Sequence, residues 1–167
     1  DYDRVGFPYP VLAFQVNCYG RRVIAQRGFR GDLANPPAEA DLDPPSPTPR
    51  RCMEVGAATA RAMRESPWRV ALVASSSWSH AFLTDKHHQL YPDIAADRRL
   101  HEALRNGDYE TWRRTPLADI EASGQQEMLN WCLLAGAMEE LGRKPDSCEL
   151  VETWTFNSNK CFAVFRP

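Results

Sequence analysis

Apolar residues run almost without a break through two stretches of the chain, Val11–Tyr19 and Trp68–Ser75. That pattern is typical of strands that are buried on both faces of a sheet. Between them, Arg51–Arg64 repeats apolar side chains at the spacing of one helical face, namely Cys52, Val55, Ala58, Ala62 and Met63. The order strand, helix, strand predicts a βαβ unit, and with it an α/β fold whose mixed central sheet is flanked by helices.

The second half of the chain predicts further helices and two strands. Ser123 is followed three residues later by Gln126, which is the spacing of a capping box, and the apolar helix that it opens is expected to run to Leu141. Gly142 then supplies a C-terminal stop. The other predicted elements are a helix over Asp97–Asn106, a short helix that begins at Thr115-Pro116, and strands over Cys148–Phe156 and Lys160–Phe165.

Residues 21–51 form a proline-rich excursion, in which six of the 13 prolines fall between Pro36 and Pro49. Such a segment supports neither a helix nor an inner strand. We expect a long loop over the surface, and a solvated linker is favoured over a recognition role.

Composition narrows the class of protein. The 167 residues are 43% hydrophobic and 25% charged, which is typical of one globular domain. The net charge is −2 and the basic residues are scattered, so a nucleic acid is not expected as a partner. No apolar run is long enough for a transmembrane helix, so no membrane association is expected.

The five cysteines are odd in number and contain no CxxC pair. Cys52 and Cys132 fall on predicted helical faces and Cys161 in a predicted strand, so we interpret them as small buried hydrophobes in a reducing cytoplasm. The chain begins at Asp1 and not at Met, from which we expect a processed chain or one piece of a longer protein.

His80 is the histidine that the pattern singles out. It follows the predicted strand Trp68–Ser75, and open α/β sheets place ligands at the carboxyl ends of their strands. Its serine-rich neighbours offer hydrogen bonds that would fix its tautomer. A packed structural histidine is the alternative. His87 and His88 are expected in a polar loop, and His101 on a helix surface.

Glu127 is a carboxylate among apolar neighbours near the start of the predicted last long helix. A metal ion would hold such a group, and an ordinary favourable interaction with the helix dipole is the alternative. Acyl transfer by the serines of the stretch SSSWSH is less favoured than a metal site, because the chain has no GxSxG elbow.

Several segments carry a resemblance. ALVASSSWSH, GQQEMLNWCLLAGAM and FNSNKCFAVF resemble the class III extradiol ring-cleavage dioxygenases, the family of the protocatechuate 4,5-dioxygenase catalytic subunit. The stretches FPYPVLAFQVNCYG and PPSPTPRRCMEVG are similar to the middle region of that family. The separation of His80 and Glu127, 47 residues, also fits the family.

The resemblance implies an enzyme of aromatic catabolism that uses Fe(II) and O₂ to open a catechol-type ring. Glu127, in the pattern E-x-L-N-W, matches the family's glutamate iron ligand, and His80 matches its acid/base histidine. The family's two histidine ligands lie in an N-terminal half that this sequence does not contain. We therefore expect residues 1–167 to be the C-terminal portion of one catalytic domain, whose sheet that segment completes, in a homo- or hetero-oligomer.

Two other functions stay open at this point. The chain would be a non-catalytic subunit or remnant of that fold, or a metal-dependent hydrolase on the same scaffold. The substrate is not specified either, and protocatechuate, gallate, an aminophenol and a phenylpropionate-type catechol all remain candidates. Asn17 and Tyr19, at the end of the first predicted strand, are candidate substrate contacts, with simple strand-end packing as the alternative.

Overall fold

The computed structural model describes residues 6–20, 23, 38 and 44–167, and it combines α-helices with a small antiparallel sheet in an α/β fold. Two helices form its centre, α1 (Pro49–Glu65) and α5 (Met128–Glu140). The Thr48 side chain caps α1 by accepting a hydrogen bond from the backbone N–H of Arg51. α5 is apolar around its whole circumference and is buried on most sides, as expected of a core helix.

Two glycines allow α1 and α5 to pack closely. A Cβ atom on Gly56 would collide with the backbone carbonyl of Leu133, and one on Gly136 would collide with the backbone of Met53. Each helix therefore presents a glycine to the main chain of the other. This contact places the N-terminal end of α5, where Glu127 lies, at a fixed position in the core.

The described part of the chain also contains α2 (Ile94–Asn106), α3 (Tyr109–Arg114) and α4 (Leu117–Ala122). α3 packs against both central helices, and α2 packs against α3 and the sheet. β1 (Ser147–Val151) and β2 (Lys160–Val164) pair antiparallel, with Cys148 opposite Ala163 and Leu150 opposite Cys161. Trp78 is fully buried where the irregular stretch before His80 meets the helices. Its ring packs edge-on against Trp112 and Trp131, with centroids 6.0 and 5.6 Å away.

The periodic predictions for the helices and the hairpin are largely confirmed. α1 covers the predicted helix Arg51–Arg64, and α2 contains the predicted helix Asp97–Asn106. The two C-terminal strands form, although β1 ends at Val151 and not at Phe156. The prediction missed α3, whose six residues are too few to show a periodic pattern.

The predicted capping box is wrong. Ser123 closes α4 and does not open the next helix, which begins at Met128 with Glu127 as its N-cap residue. The turn between the two helices contains Gly124 at a φ of 68°. In that left-handed conformation the turn packs closely against the backbone of His80, and the next helix begins only at Met128.

The two predicted N-terminal strands do not pair with any strand in the described part of the chain. Val11, Leu12 and Phe14 are exposed, and Val11–Tyr19 is neither helix nor strand. Residues 69–77 are likewise irregular, with Leu72 packed against the core but Val73 79% exposed. The prediction of burial on both faces, and the βαβ unit built on it, are therefore wrong for the described residues, because no neighbouring strand covers the second face.

The proline-rich excursion lies mostly outside the described residues. Residues 44–48 form neither helix nor strand, as predicted. The prediction is wrong for residues 49–51, because Pro49 is the first residue of α1. None of the helices that the structure describes combines the length and the apolar character needed to cross a bilayer.

Candidate active site

The fold brings His80 and Glu127 together. Nε2 of His80 lies 3.4 Å from Oε2 of Glu127, and the two side chains are only 11% and 23% exposed. Among the described residues, Nε2 makes no hydrogen bond. Nε2 is therefore available to a bound group beside the carboxylate.

Glu127 is held from three directions. Its Oε1 accepts a hydrogen bond from the hydroxyl of Tyr19, and its Oε2 accepts one from the backbone N–H of Ser77 at 3.0 Å. The hydroxyl of Ser76 donates to the backbone carbonyl of Glu127 at 2.9 Å. The serine-rich stretch thus fixes the glutamate, which is a different role from the predicted one of fixing the histidine.

The protonation of Glu127 follows from these contacts. Burial pushes the pKa of this carboxyl up, but the hydrogen bonds from Tyr19 and Ser77 and the nearby His80 outweigh it and hold the pKa below its ordinary value. In the described part of the chain, no Lys or Arg nitrogen forms an ion pair with it. Burial and the hydrogen bond to Glu127 raise the pKa of Tyr19 in turn, so this hydroxyl stays protonated.

His80 is held by the turn that joins the two strands and by the turn before α5. Its backbone N–H donates to the carbonyl of Gly124 at 2.8 Å, and its backbone forms an isolated antiparallel bridge with Ser158. Its Nδ1 lies 2.8 Å from Nδ2 of Asn157. Oδ1 of the same amide accepts from the backbone N–H of Phe82 at 3.2 Å, so the amide presents its NH₂ to the ring. The neutral imidazole therefore carries its proton on Nε2, the atom that faces Glu127.

Asp97 connects the segments that carry these residues. This fully buried carboxylate, in the first turn of α2, accepts hydrogen bonds from the hydroxyl of Ser79 at 2.6 Å, from Gln125 at 2.7 Å and from Asn159 at 2.8 Å. Those donors neighbour His80, Glu127 and Asn157 in sequence. Burial raises the pKa of Asp97, and its hydrogen bonds oppose that rise. One carboxylate thus ties together the three segments of the site.

The other predicted site residues are placed as follows. Tyr19 lies in the site, but its hydroxyl contacts Glu127. Asn17 donates to the backbone carbonyl of Pro44 at 3.3 Å and accepts from Gly20 at 3.2 Å, so it shapes the local turn. His87 and His88 are exposed in a 3₁₀ turn, as expected for a polar loop. The surface prediction for His101 is wrong, because its side chain is half-buried and its Nε2 lies 3.3 Å from the carbonyl oxygen of Cys148.

Sequence reasoning missed Asn157 and Asp97. Asn157 lies in FNSNKCFAVF, one of the segments that carried the resemblance, and that was the available signal. Asp97 resembles any acidic residue in the first turn of a helix, so nothing local distinguishes it.

A divalent metal fits the chemistry of Glu127. The carboxylate is ionised, partly buried and without a cationic side chain of Lys or Arg in the described part of the chain, and an unpartnered imidazole nitrogen stands beside it. One glutamate does not complete such a site. Among the other histidines, His87 stacks on Tyr91 with ring centroids 4.3 Å apart, and His101 lies against Cys148.

Comparison with known protein families decides the identity. The family described as the catalytic LigB subunit of aromatic ring-opening dioxygenase matches residues 42–162, which is more than half of the chain. This chain belongs to that family. The match spans His80, Glu127 and Asn157, and it confirms the resemblance inferred from the sequence. The family is one of dioxygenases that act on aromatic rings, which supports an enzymatic function. A search of curated proteins finds no match.

Proposed function

We propose that this chain is part of an Fe(II)-dependent extradiol dioxygenase, which opens a catechol-type ring beside its two hydroxyl groups. The contact between His80 and Glu127 carries the proposal, since it joins in one site the two residues that match the family's acid/base histidine and glutamate ligand. In the overall reaction both atoms of O₂ enter the ring-opened product, so no external reductant is consumed.

Glu127 would be the iron ligand that this chain supplies. Tyr19 and Ser77 each donate one hydrogen bond to the carboxylate, which fixes its orientation and leaves lone pairs on both oxygens. Its lowered pKa keeps it ionised at neutral pH, the form that binds a cation. When bound, Fe(II) would bring the catechol and O₂ together and allow electron transfer between them.

His80 would exchange protons with the substrate through Nε2. With Nδ1 accepting from Asn157, the neutral ring carries a proton on Nε2 and presents it to the site. Accepting a proton at Nε2 requires the other tautomer, in which Asn157 turns its oxygen toward Nδ1 and loses the hydrogen bond from Phe82. The orientation of the Asn157 amide therefore determines which ring nitrogen of the neutral His80 carries the proton.

We further propose that a segment carrying two histidine ligands completes the domain, so that residues 1–167 are its C-terminal portion. The exposed apolar side chains of two irregular stretches support this. Leu12 is 93% exposed, and Val73 is 79% exposed while its neighbour Leu72 packs on the core. Strands from a partner segment, in the same or another subunit, would cover these faces. All five cysteines are free, which supports a reducing compartment such as the cytoplasm.

The test is O₂ consumption by the complete protein that contains this chain, loaded with Fe(II) and supplied with a panel of catechols. The proposal predicts catechol-dependent O₂ uptake and a ring-opened product in which one hydroxyl-bearing carbon has become a carboxyl. The variant His80→Gln should lower turnover about 10²–10⁴-fold, and the matched change His88→Gln in the exposed turn should not.

Two results would contradict the proposal in different ways. Iron-loaded protein that consumes no O₂ with any catechol would favour a non-catalytic remnant of the fold. Activity that requires Zn²⁺ and is indifferent to O₂ would favour a metal-dependent hydrolase on the same scaffold.

A further inference from the structure

A second group of metal-ligating side chains lies where α2 packs on the two-stranded sheet. His101 of α2, Cys148 of β1 and Cys161 of β2 place one potential ligand atom each within 4.8 Å of one another. Cys148 and Cys161 are diagonal neighbours on the inner face of the sheet, because Cys161 pairs with Leu150 and Cys148 with Ala163. α2 packs on that face and contributes the third ligand, His101.

The spacing of the two thiols suits a tetrahedral thiolate site. The Sγ atoms of Cys148 and Cys161 lie 4.0 Å apart. A Zn²⁺ ion with Zn–S bonds of about 2.3 Å and tetrahedral angles holds two sulfurs about 3.8 Å apart. The thiols are therefore already near the separation that such an ion imposes, so binding would need little movement of the backbone.

The surroundings favour a soft divalent cation at this place. Cys148 and His101 are half-buried, which leaves a route for the ion from solvent, whereas Cys161 is buried. The hydrogen bond from Cys161 and the nearby Arg105 lower the pKa of the Cys148 thiol against the effect of burial, whereas the hydrogen bond to Cys148 and burial raise the pKa of Cys161. The ion would therefore have to displace the proton of Cys161 when it binds. Thiolate and imidazole ligands together select Zn²⁺ over the harder Mg²⁺ and Ca²⁺.

We propose that His101, Cys148 and Cys161 form a second metal site, for Zn²⁺, that is separate from the site at Glu127. The ion would join α2, which carries Asp97, to the two strands whose connecting turn carries Asn157 and Asn159. It would thereby brace the hydrogen bonds around His80. Three protein ligands and a water complete the tetrahedron.

Co²⁺ titration of the reduced, metal-free complete protein tests the proposal, because Co²⁺ reports thiolate ligation by a sulfur-to-cobalt charge-transfer band in the near ultraviolet. We expect Co²⁺ to produce this band, its intensity to saturate at one thiolate-bound Co²⁺ per domain, and Zn²⁺ to abolish it. Cys148→Ser should remove most of the band, and His101→Ala should weaken Co²⁺ binding by at least about tenfold. Both positions are half-buried, and circular dichroism would verify that the variants fold.

Two controls separate this site from others. Glu127→Ala should leave the sulfur band intact, since the carboxylate site has no thiolate, so the result is independent of the proposed dioxygenase activity. Cys52→Ala, which removes a buried thiol of α1, should also leave it intact. The proposal is overturned if the wild-type protein gives no sulfur band, if Cys148→Ser and His101→Ala both leave the band unchanged, or if Cys148 and Cys161 form a disulfide in protein kept under reducing conditions.

Discussion

Nε2 of His80 lies 3.4 Å from Oε2 of Glu127, although the two residues are 47 positions apart in the chain. Hydrogen bonds from backbone N–H groups on both sides of the contact hold the two residues at this distance. Ser77, three residues before His80, donates its backbone N–H to the glutamate, and Gly124, three residues before Glu127, accepts from the backbone N–H of His80. The chain segments of the two residues are thus hydrogen-bonded to each other on either side of the contact.

Gly124→Ala should displace His80. Gly124 has a φ of 68°, and a Cβ there would lie 2.5 Å from the backbone carbonyl oxygen of His80. We expect a loss of about 1–3 kcal/mol in the free energy of unfolding, measured in urea, together with a fall in catechol-dependent turnover. Gly142→Ala is the matched control, since its φ is 64° but nothing lies within 4 Å of the added Cβ. Equal losses in the two variants would show that the contact with His80 does not constrain the site.

Asn157→Asp should change the tautomer of His80. In the wild type, the Asn157 amide donates to Nδ1, so the neutral ring is expected to be protonated on Nε2. An aspartate at this position only accepts, which favours a proton on Nδ1. Nitrogen-15 NMR of the histidine side chains in the metal-free protein distinguishes the two forms.

The matched variant for this experiment is Asn106→Asp, which makes the same charge change at the exposed end of α2 and should leave the spectrum of His80 unchanged. If His80 keeps the same tautomer in Asn157→Asp as in the wild type, the Asn157 amide does not control the ring.

Asp93→Asn should make the free energy of unfolding less dependent on pH in acid. Asp93 caps α2 and forms an ion pair with Lys86 at 2.5 Å. Burial raises the pKa of Asp93, but the hydrogen bonds from Lys86 and from the backbone N–H of Ala96 outweigh burial and hold this pKa below the ordinary 3.8. A lowered pKa in the folded state stabilises the protein above pH 3.8, and that stability is lost as the pH falls through the folded value. Asparagine keeps the cap but not the charge.

The expected difference between wild type and Asp93→Asn is about 1 kcal/mol at pH 7, because Lys86 is half in solvent, and it should shrink to nothing in strong acid. Urea unfolding at a series of pH values measures it. Lys86→Met should reproduce the loss at pH 7. A difference that stays constant with pH would mean that the ion pair contributes nothing to stability.

The sequence predicted those elements whose pattern is local. The one-sided apolar spacing of α1 and the paired runs of β1 and β2 are visible without knowledge of their neighbours. The strand predicted over Val11–Tyr19 failed because an apolar run becomes a strand only where another strand pairs with it, and the described residues provide none. Ser123 and Gln126 had the spacing of a capping box, but the approach of Gly124 to His80 overrides that local preference.

The candidate site was predictable only in part, and for a physical reason. His80 and Glu127 were found because a histidine after a predicted strand and a carboxylate among apolar residues are unusual, and because their segments resembled a family. Asn157 and Asp97 act through side-chain hydrogen bonds to residues far away in the chain, and such bonds produce no periodic pattern in the sequence. The role of the serines in holding Glu127 is of the same kind.

The central claim is that Glu127 binds iron while His80 moves protons beside it. The most direct test measures iron content and turnover together, in the complete protein and in its variants Glu127→Ala and His80→Ala. We predict about one iron per domain in the wild type and in His80→Ala, with turnover lowered about 10²–10⁴-fold in the latter, and no retained iron in Glu127→Ala. Normal iron content in Glu127→Ala, or near-normal turnover in His80→Ala, would contradict the account.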